Sequence, residues 1–152
     1  MGEIDEHEVE PGGGIVNATF VGTGALVATS VAAAVLPDTF GLVHAGLSVL
    51  LFVVGTGALL WAYALGVSRS RTDLMSVPGL FFLAGEAAPA STRRALRVAV
   101  VVEVVAVVAA ASIRPYTEVA FGILAPMYGL GLMGVWAGRY GAFPPRPLKQ
   151  EG

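Results

Sequence analysis

A chain of 152 residues that is 55% hydrophobic and only 13% charged is too apolar for a water-soluble domain of its size. Without cysteine it has no disulfide, thiol-redox or cysteine–zinc chemistry, and with a net charge of −2 no nucleic-acid partner is expected. What remains is a lipid-embedded protein, and the apolar stretches are long enough to make it one.

The chain opens on an acidic segment, residues 1–14, with Glu3, Asp5, Glu6, Glu8 and Glu10 ahead of Pro11 and three glycines. It reads as a solvated, disordered tail. The first apolar stretch is 15–36, diluted by Asn17, Thr19, Thr23, Thr29 and Ser30. Ala32 and Ala34 imitate a signal-peptide cleavage site, but the preceding acids and the length of the run argue for a span. Residues 42–67 form the second stretch and 95–113 the third. The fourth, 119–138, is rich in glycine and carries Pro126, which should remove the hydrogen bond to Gly122 and bend the helix. Each stretch approaches the roughly 20 residues needed to cross the ~30 Å hydrocarbon core. None alternates at period two, so helices and not barrel strands are expected. The predicted fold is all-α: a membrane-embedded four-helix bundle with antiparallel neighbours.

Between the second and third spans lies a long connection, 68–94. Its segment Val77-Pro78-Gly79-Leu80-Phe81-Phe82-Leu83 is apolar but too short to span, and is expected to lie among the lipid headgroups. Arg69, Arg71, Arg93 and Arg94 flank it and are candidate ligands for lipid phosphates. Ser91 or Thr92 is expected to cap the third helix. A Pro-rich tail, 141–152, ends the chain. Arginine thus gathers in the 68–94 connection and, with Lys149, near the C-terminus, whereas the other two connections hold only Asp38, Arg114 and Glu118. Basic residues in short loops stay inside, which places both termini in the cytoplasm. Trp61, Tyr63, Trp136 and Tyr140 then fall near the cytoplasmic interface, where aromatic belts form.

Two glycine patterns suggest close helix contacts. Val21-Gly22-Thr23-Gly24-Ala25-Leu26 recurs as Val54-Gly55-Thr56-Gly57-Ala58-Leu59, and the two copies are expected to face each other through Gly22, Gly24, Gly55 and Gly57. Gly134 and Gly138 form a GxxxG face on the fourth span.

Glu103 is the leading functional candidate. It sits near the middle of the third span, where an ionised carboxylate costs about 3 kcal/mol or more and an acid is a functional hypothesis by default. Ala99, Ala106 and Ala110 share its face, so that face should point into the bundle or toward a partner. Arg97, six residues away and about 120° around the helix, cannot pair with it. Thr23, Thr56 and Tyr128 lie at similar depth and are possible polar partners. Two readings follow: an interhelical hydrogen-bonding group, or a proton- or cation-carrying site. His44, near the outer end of the second span, is expected to pack with Asp38 or Glu118. A haem axial pair within one subunit is excluded by its being the only histidine in the membrane region, and no cofactor or metal is expected. No nucleophile–base pair or paired carboxylates share a helix face, so enzymatic activity is not expected.

The run from Phe121 through Gly131-Leu-Met-Gly-Val-Trp-Ala-Gly-Arg to Phe143-Pro-Pro-Arg, about a fifth of the chain, resembles small integral membrane proteins of actinobacteria without assigned function. The bias toward Ala, Val, Gly and Arg over Lys fits a high-GC bacterial genome. The resulting expectation is a non-catalytic protein of the bacterial plasma membrane. It would be an accessory or assembly subunit in contact with lipid and with other membrane subunits or copies of itself. The alternative is a small ion-coupled carrier using Glu103.

Overall fold

The computed structural model describes residues 11–147, so the acidic residues of the N-terminal tail and Lys149 lie outside the described part. It is all-α: α1 (Gly13–Val35), α2 (Pro37–Arg69), a short α3 (Val77–Phe82), α4 (Ala90–Ile113), a 3-10 helix (Glu118–Leu124) and α5 (Met127–Tyr140). Four segments are long and apolar enough to cross a membrane: α1, α2, α4, and the 3-10 helix with α5 taken together.

Prolines set the boundaries. Pro37 is the first residue of α2, where its fixed φ and missing N–H cost nothing. Leu36 before it is driven out of helical geometry, at φ −124° and ψ 66°. The expected five-residue connection between spans one and two is therefore a single residue. Pro89 precedes α4, which begins five residues earlier than the apolar run suggested, because Ser91, Thr92, Arg93 and Arg94 continue the helix beyond the hydrocarbon. The N-cap position falls on Pro89, whose ring has no acceptor to cap with, and not on Ser91 or Thr92 as expected. Pro126 does more than bend the fourth span. The span is divided there, with a tightly wound 3-10 segment before it and an α-helix after it.

Successive spans run antiparallel, yet the most extensive contact joins α2 to α5, with α1 against α4 next. Both pairs run parallel. Arg69, the last residue of α2, donates to the carbonyls of Gly138 and Gly141 at the end of α5, at 3.2 and 3.1 Å. The start of α1 meets the same end of the bundle: the Trp136 indole N–H donates to the Pro11 carbonyl at 3.1 Å. At the opposite end Arg114 donates to the Ala34 carbonyl, closing the C-terminus of α1.

The 68–94 connection packs against the bundle as well as exposing apolar side chains. Leu80 and Leu83 are buried with Leu96, Met133, Trp136 and Ala137, so α3 plugs the end of the bundle. Phe81 lies on Gly134, while Val77 and Phe82 stay exposed. Leu83 adopts a left-handed conformation, φ 50°. Arg97 holds this turn by donating to the carbonyls of Phe82 and Leu83 at 2.9 and 3.2 Å. The first part of the Pro-rich tail is docked as well. Leu74 N–H donates to the Pro144 carbonyl and Arg146 N–H to the Thr72 carbonyl, an isolated antiparallel bridge.

Candidate functional site

The polar centre of the bundle forms where α1, α4 and α5 converge. Glu103 is completely buried, at 0% exposure. Its Oε1 accepts a 2.7 Å hydrogen bond from the Thr23 hydroxyl. Its Oε2 has no side-chain hydrogen-bond partner among the described residues and faces the Gly129 backbone. That oxygen lies against Gly129: a Cβ there would stand 2.6 Å from Oε2 and 2.7 Å from the Val100 side chain. Glycine at 129 is thus a steric requirement of the carboxyl, and not a helix-flexibility device. On the α5 side of the acid there is no room for a methyl group.

Of the partners predicted for Glu103, the structure brings Thr23 to it and leaves Thr56 aside. The Thr56 hydroxyl is buried without a hydrogen bond. Tyr128 stands beside the site but directs its hydroxyl to the Ala18 carbonyl, at 2.7 Å. Gly129, which touches the acid most closely, was not singled out in the sequence. It was one glycine among several in a glycine-rich span, with no spacing to distinguish it.

The hexapeptide repeat does not pack on itself. Gly22 seats the Tyr128 ring, and Gly55 seats the backbone of Met127 and Tyr128, so the first glycine of each copy clasps the start of α5 from either side. Gly24 and Gly57 have open space where a side chain would stand. The physical reason is phase: residues two apart on a helix are about 200° apart, so both glycines of Gly-x-Gly cannot share one contact. Gly131 approaches the Gly55 carbonyl, and Gly134 and Gly138 lie on Ala62 and Leu65 of α2, where Cβ atoms would come within 2.9 Å. The GxxxG face is therefore used inside the chain.

His44 also turns inward. It is fully buried, its Nδ1 lies 3.3 Å from the Thr29 hydroxyl, and its Nε2 lies against Gly122, 2.6 Å from where a Cβ would be. No hydrogen bond joins His44 to Asp38 or Glu118 among the described residues. Glu118 covers Gly41 instead. Among the described residues no three His, Asp or Glu side chains come together as a metal site.

The four arginines divide. Arg69 forms an ion pair with Asp73 at 2.9 Å and stacks on the Phe143 ring at 5.4 Å, so it clamps the tail to the bundle and is not free for a headgroup. Arg93 donates to the Gly85 carbonyl. Arg71 and Arg94 are exposed. Trp136 is buried with its N–H satisfied, whereas Trp61 and Tyr63 face outward.

No family model, no curated protein and no solved structure matches this chain. The site must be interpreted from its own geometry. The four long apolar helices are those of a multi-pass membrane protein, in contact with lipid along their exposed Val, Leu and Phe side chains.

Proposed function

We propose that the protein is a non-catalytic subunit of a larger assembly in the bacterial plasma membrane, with both termini in the cytoplasm. The observation that carries this reading is the packing of Glu103. Its carboxyl accepts from Thr23, is enclosed by Val100 and Gly129, and joins three helices where lipid alone would leave them without a polar attraction. An acid so placed is a pin of the bundle. The segregation of arginine supports the orientation. A groove of about 410 Å³ between α1 and α4, lined by valines and alanines such as Val31, Val102, Ala106 and Ala109, supplies an apolar surface on the outside of the bundle.

One observation favours a second reading. Glu103 Oε2 is buried with no side-chain partner among the described residues and faces only the Gly129 backbone, and a carboxyl oxygen so placed at membrane depth suits a small carrier that moves a proton or cation. Native purification followed by mass spectrometry of co-purifying proteins separates the two. A stoichiometric membrane partner is expected; a homo-oligomer with no partner would favour the carrier.

A further inference from the structure

The seam between α1 and α4 opens outward toward the end of the bundle opposite Arg69. There the groove of about 410 Å³ is walled by Val27, Val31 and Ala34 of α1 and by Val101, Ala109 and Ile113 of α4. Their helical spacing gives each helix one face on the groove. From Val101 to Ile113 the rise is about 18 Å, and one leaflet is half of the hydrocarbon core, about 15 Å. The groove thus runs the depth of a leaflet.

Two polar groups stand along it. Ser30 lines the groove at 2% exposure, and its Oγ has no hydrogen-bond partner among the described residues. A hydroxyl inside a helix commonly donates to the carbonyl one turn back, as Thr19, Thr29, Ser48 and Ser112 do. Ser30 does not, and the hydrocarbon core holds no water to satisfy it.

The second group is Arg114, half-buried just past the end of α4. Its Nε donates to the Ala34 carbonyl at 3.2 Å, which seats the guanidinium at the mouth of the groove. Arg69 with Asp73 is the only ion pair among the described residues, so the Arg114 charge is unmatched. Its planar fork of donors suits phosphate oxygens. Ala34 and Ser30 are one turn apart, about 6 Å along the axis. A cation at the mouth, a hydroxyl one turn deeper and an apolar channel below follow the order of phosphate, ester carbonyl and acyl chain in a phospholipid. Bulk hydrocarbon alone would leave both polar groups unmet.

We propose that this groove binds one phospholipid, with its phosphate on Arg114, an ester carbonyl accepting from Ser30 and an acyl chain between α1 and α4. The surface that the groove offers to other subunits is then lipid-filled. The test is native mass spectrometry of the full chain, purified in mild detergent and supplied with phosphatidylglycerol, with diacylglycerol bearing the same acyl chains, or with inorganic phosphate. One retained phosphatidylglycerol per chain is expected, with diacylglycerol retained far less and millimolar phosphate unable to displace the lipid.

Arg114→Gln should lower occupancy about tenfold, the worth of a hydrogen bond to a charged group. Ser30→Ala should lower it about fivefold, the worth of a neutral one, with thermal unfolding unchanged because no contact within the chain is lost. Ala109→Phe fills the groove away from the headgroup and should also reduce retention, whereas Arg71→Gln, at the other end of the bundle, should leave it alone. If loss of the Ala34 contact unfolds Arg114→Gln, the Ser30→Ala and Ala109→Phe variants decide. Equal retention of phosphatidylglycerol and diacylglycerol, or equal retention by the wild type and Ser30→Ala, would overturn the proposal. Displacement by phosphate with Ala109→Phe inert would overturn it in favour of a free anion on Arg114. A second copy of the chain retained in place of lipid, and lost in Ala109→Phe, would overturn it in favour of a helix interface. Co-purification of partner proteins is read separately, so this proposal can fail without the assembly reading.

Discussion

Glu103 owes its position to three neighbours that act differently. Thr23 supplies a hydrogen bond, Val100 supplies bulk, and Gly129 supplies the absence of bulk. Glu103→Gln keeps a side-chain carbonyl for Thr23 and nearly the same volume, so assembly and thermal unfolding in mild detergent should change little. Glu103→Ala leaves the Thr23 hydroxyl unmet and opens a gap, at a cost of roughly 1–3 kcal/mol. Gly129→Ala drives a methyl into the carboxyl and Val100. Overpacking of that kind should destabilise by about 1–3 kcal/mol, read as a lowered unfolding temperature. A Gln variant as damaged as Ala would show that the ionisable group matters and not its shape. Depth in the span and helical phase made Glu103 and Thr23 legible in the sequence. Thr56 shared both properties and is not a partner, because which face of α2 meets α4 is a tertiary fact that the phase of one helix does not contain.

At the scale of elements, the glycines of the repeat give the sharpest contrast. Gly55→Ala places a methyl into the backbone of Met127 and Tyr128, which cannot move aside as a side chain end would. It should destabilise by about 2 kcal/mol or more. Gly57→Ala meets open space and gains helix propensity, so it should be neutral or stabilising by up to about 1 kcal/mol. Thermal unfolding of the two variants side by side checks this, and equal effects would refute the clasp around the start of α5. The four spans were legible because hydrocarbon thickness imposes a length on them. Prolines 37, 89 and 126 marked ends more tightly than hydropathy did. The division at Pro126 was read as a bend because a proline alone does not say whether the turn before it winds as α or 3-10. The burial of Leu80 and Leu83 is not legible in residues 77–83, because apolarity does not distinguish packing against lipid from packing against Met133 and Trp136.

For the whole molecule, Trp136 on Pro11 and Arg69 on Gly138 and Gly141 tie the start of α1, the end of α2 and the end of α5 together at one end. A reporter active only in the cytoplasm should therefore work when fused after Lys149 and be silent when inserted beside Asp38. Activity beside Asp38 would reverse the orientation, and activity at both places would remove a span. The proposed orientation rests on the arginine bias, since the bundle itself is indifferent to which side is which. Assembly and transport differ most plainly in whether the bundle conducts. The direct measurement is proton- and sodium-coupled flux in vesicles reconstituted with the purified protein under an imposed gradient. A bundle pinned at Glu103 should give no flux above empty vesicles, and Glu103→Gln should leave that baseline unchanged. Flux through the wild type that disappears in Glu103→Gln, with the variant still folded, would contradict the account.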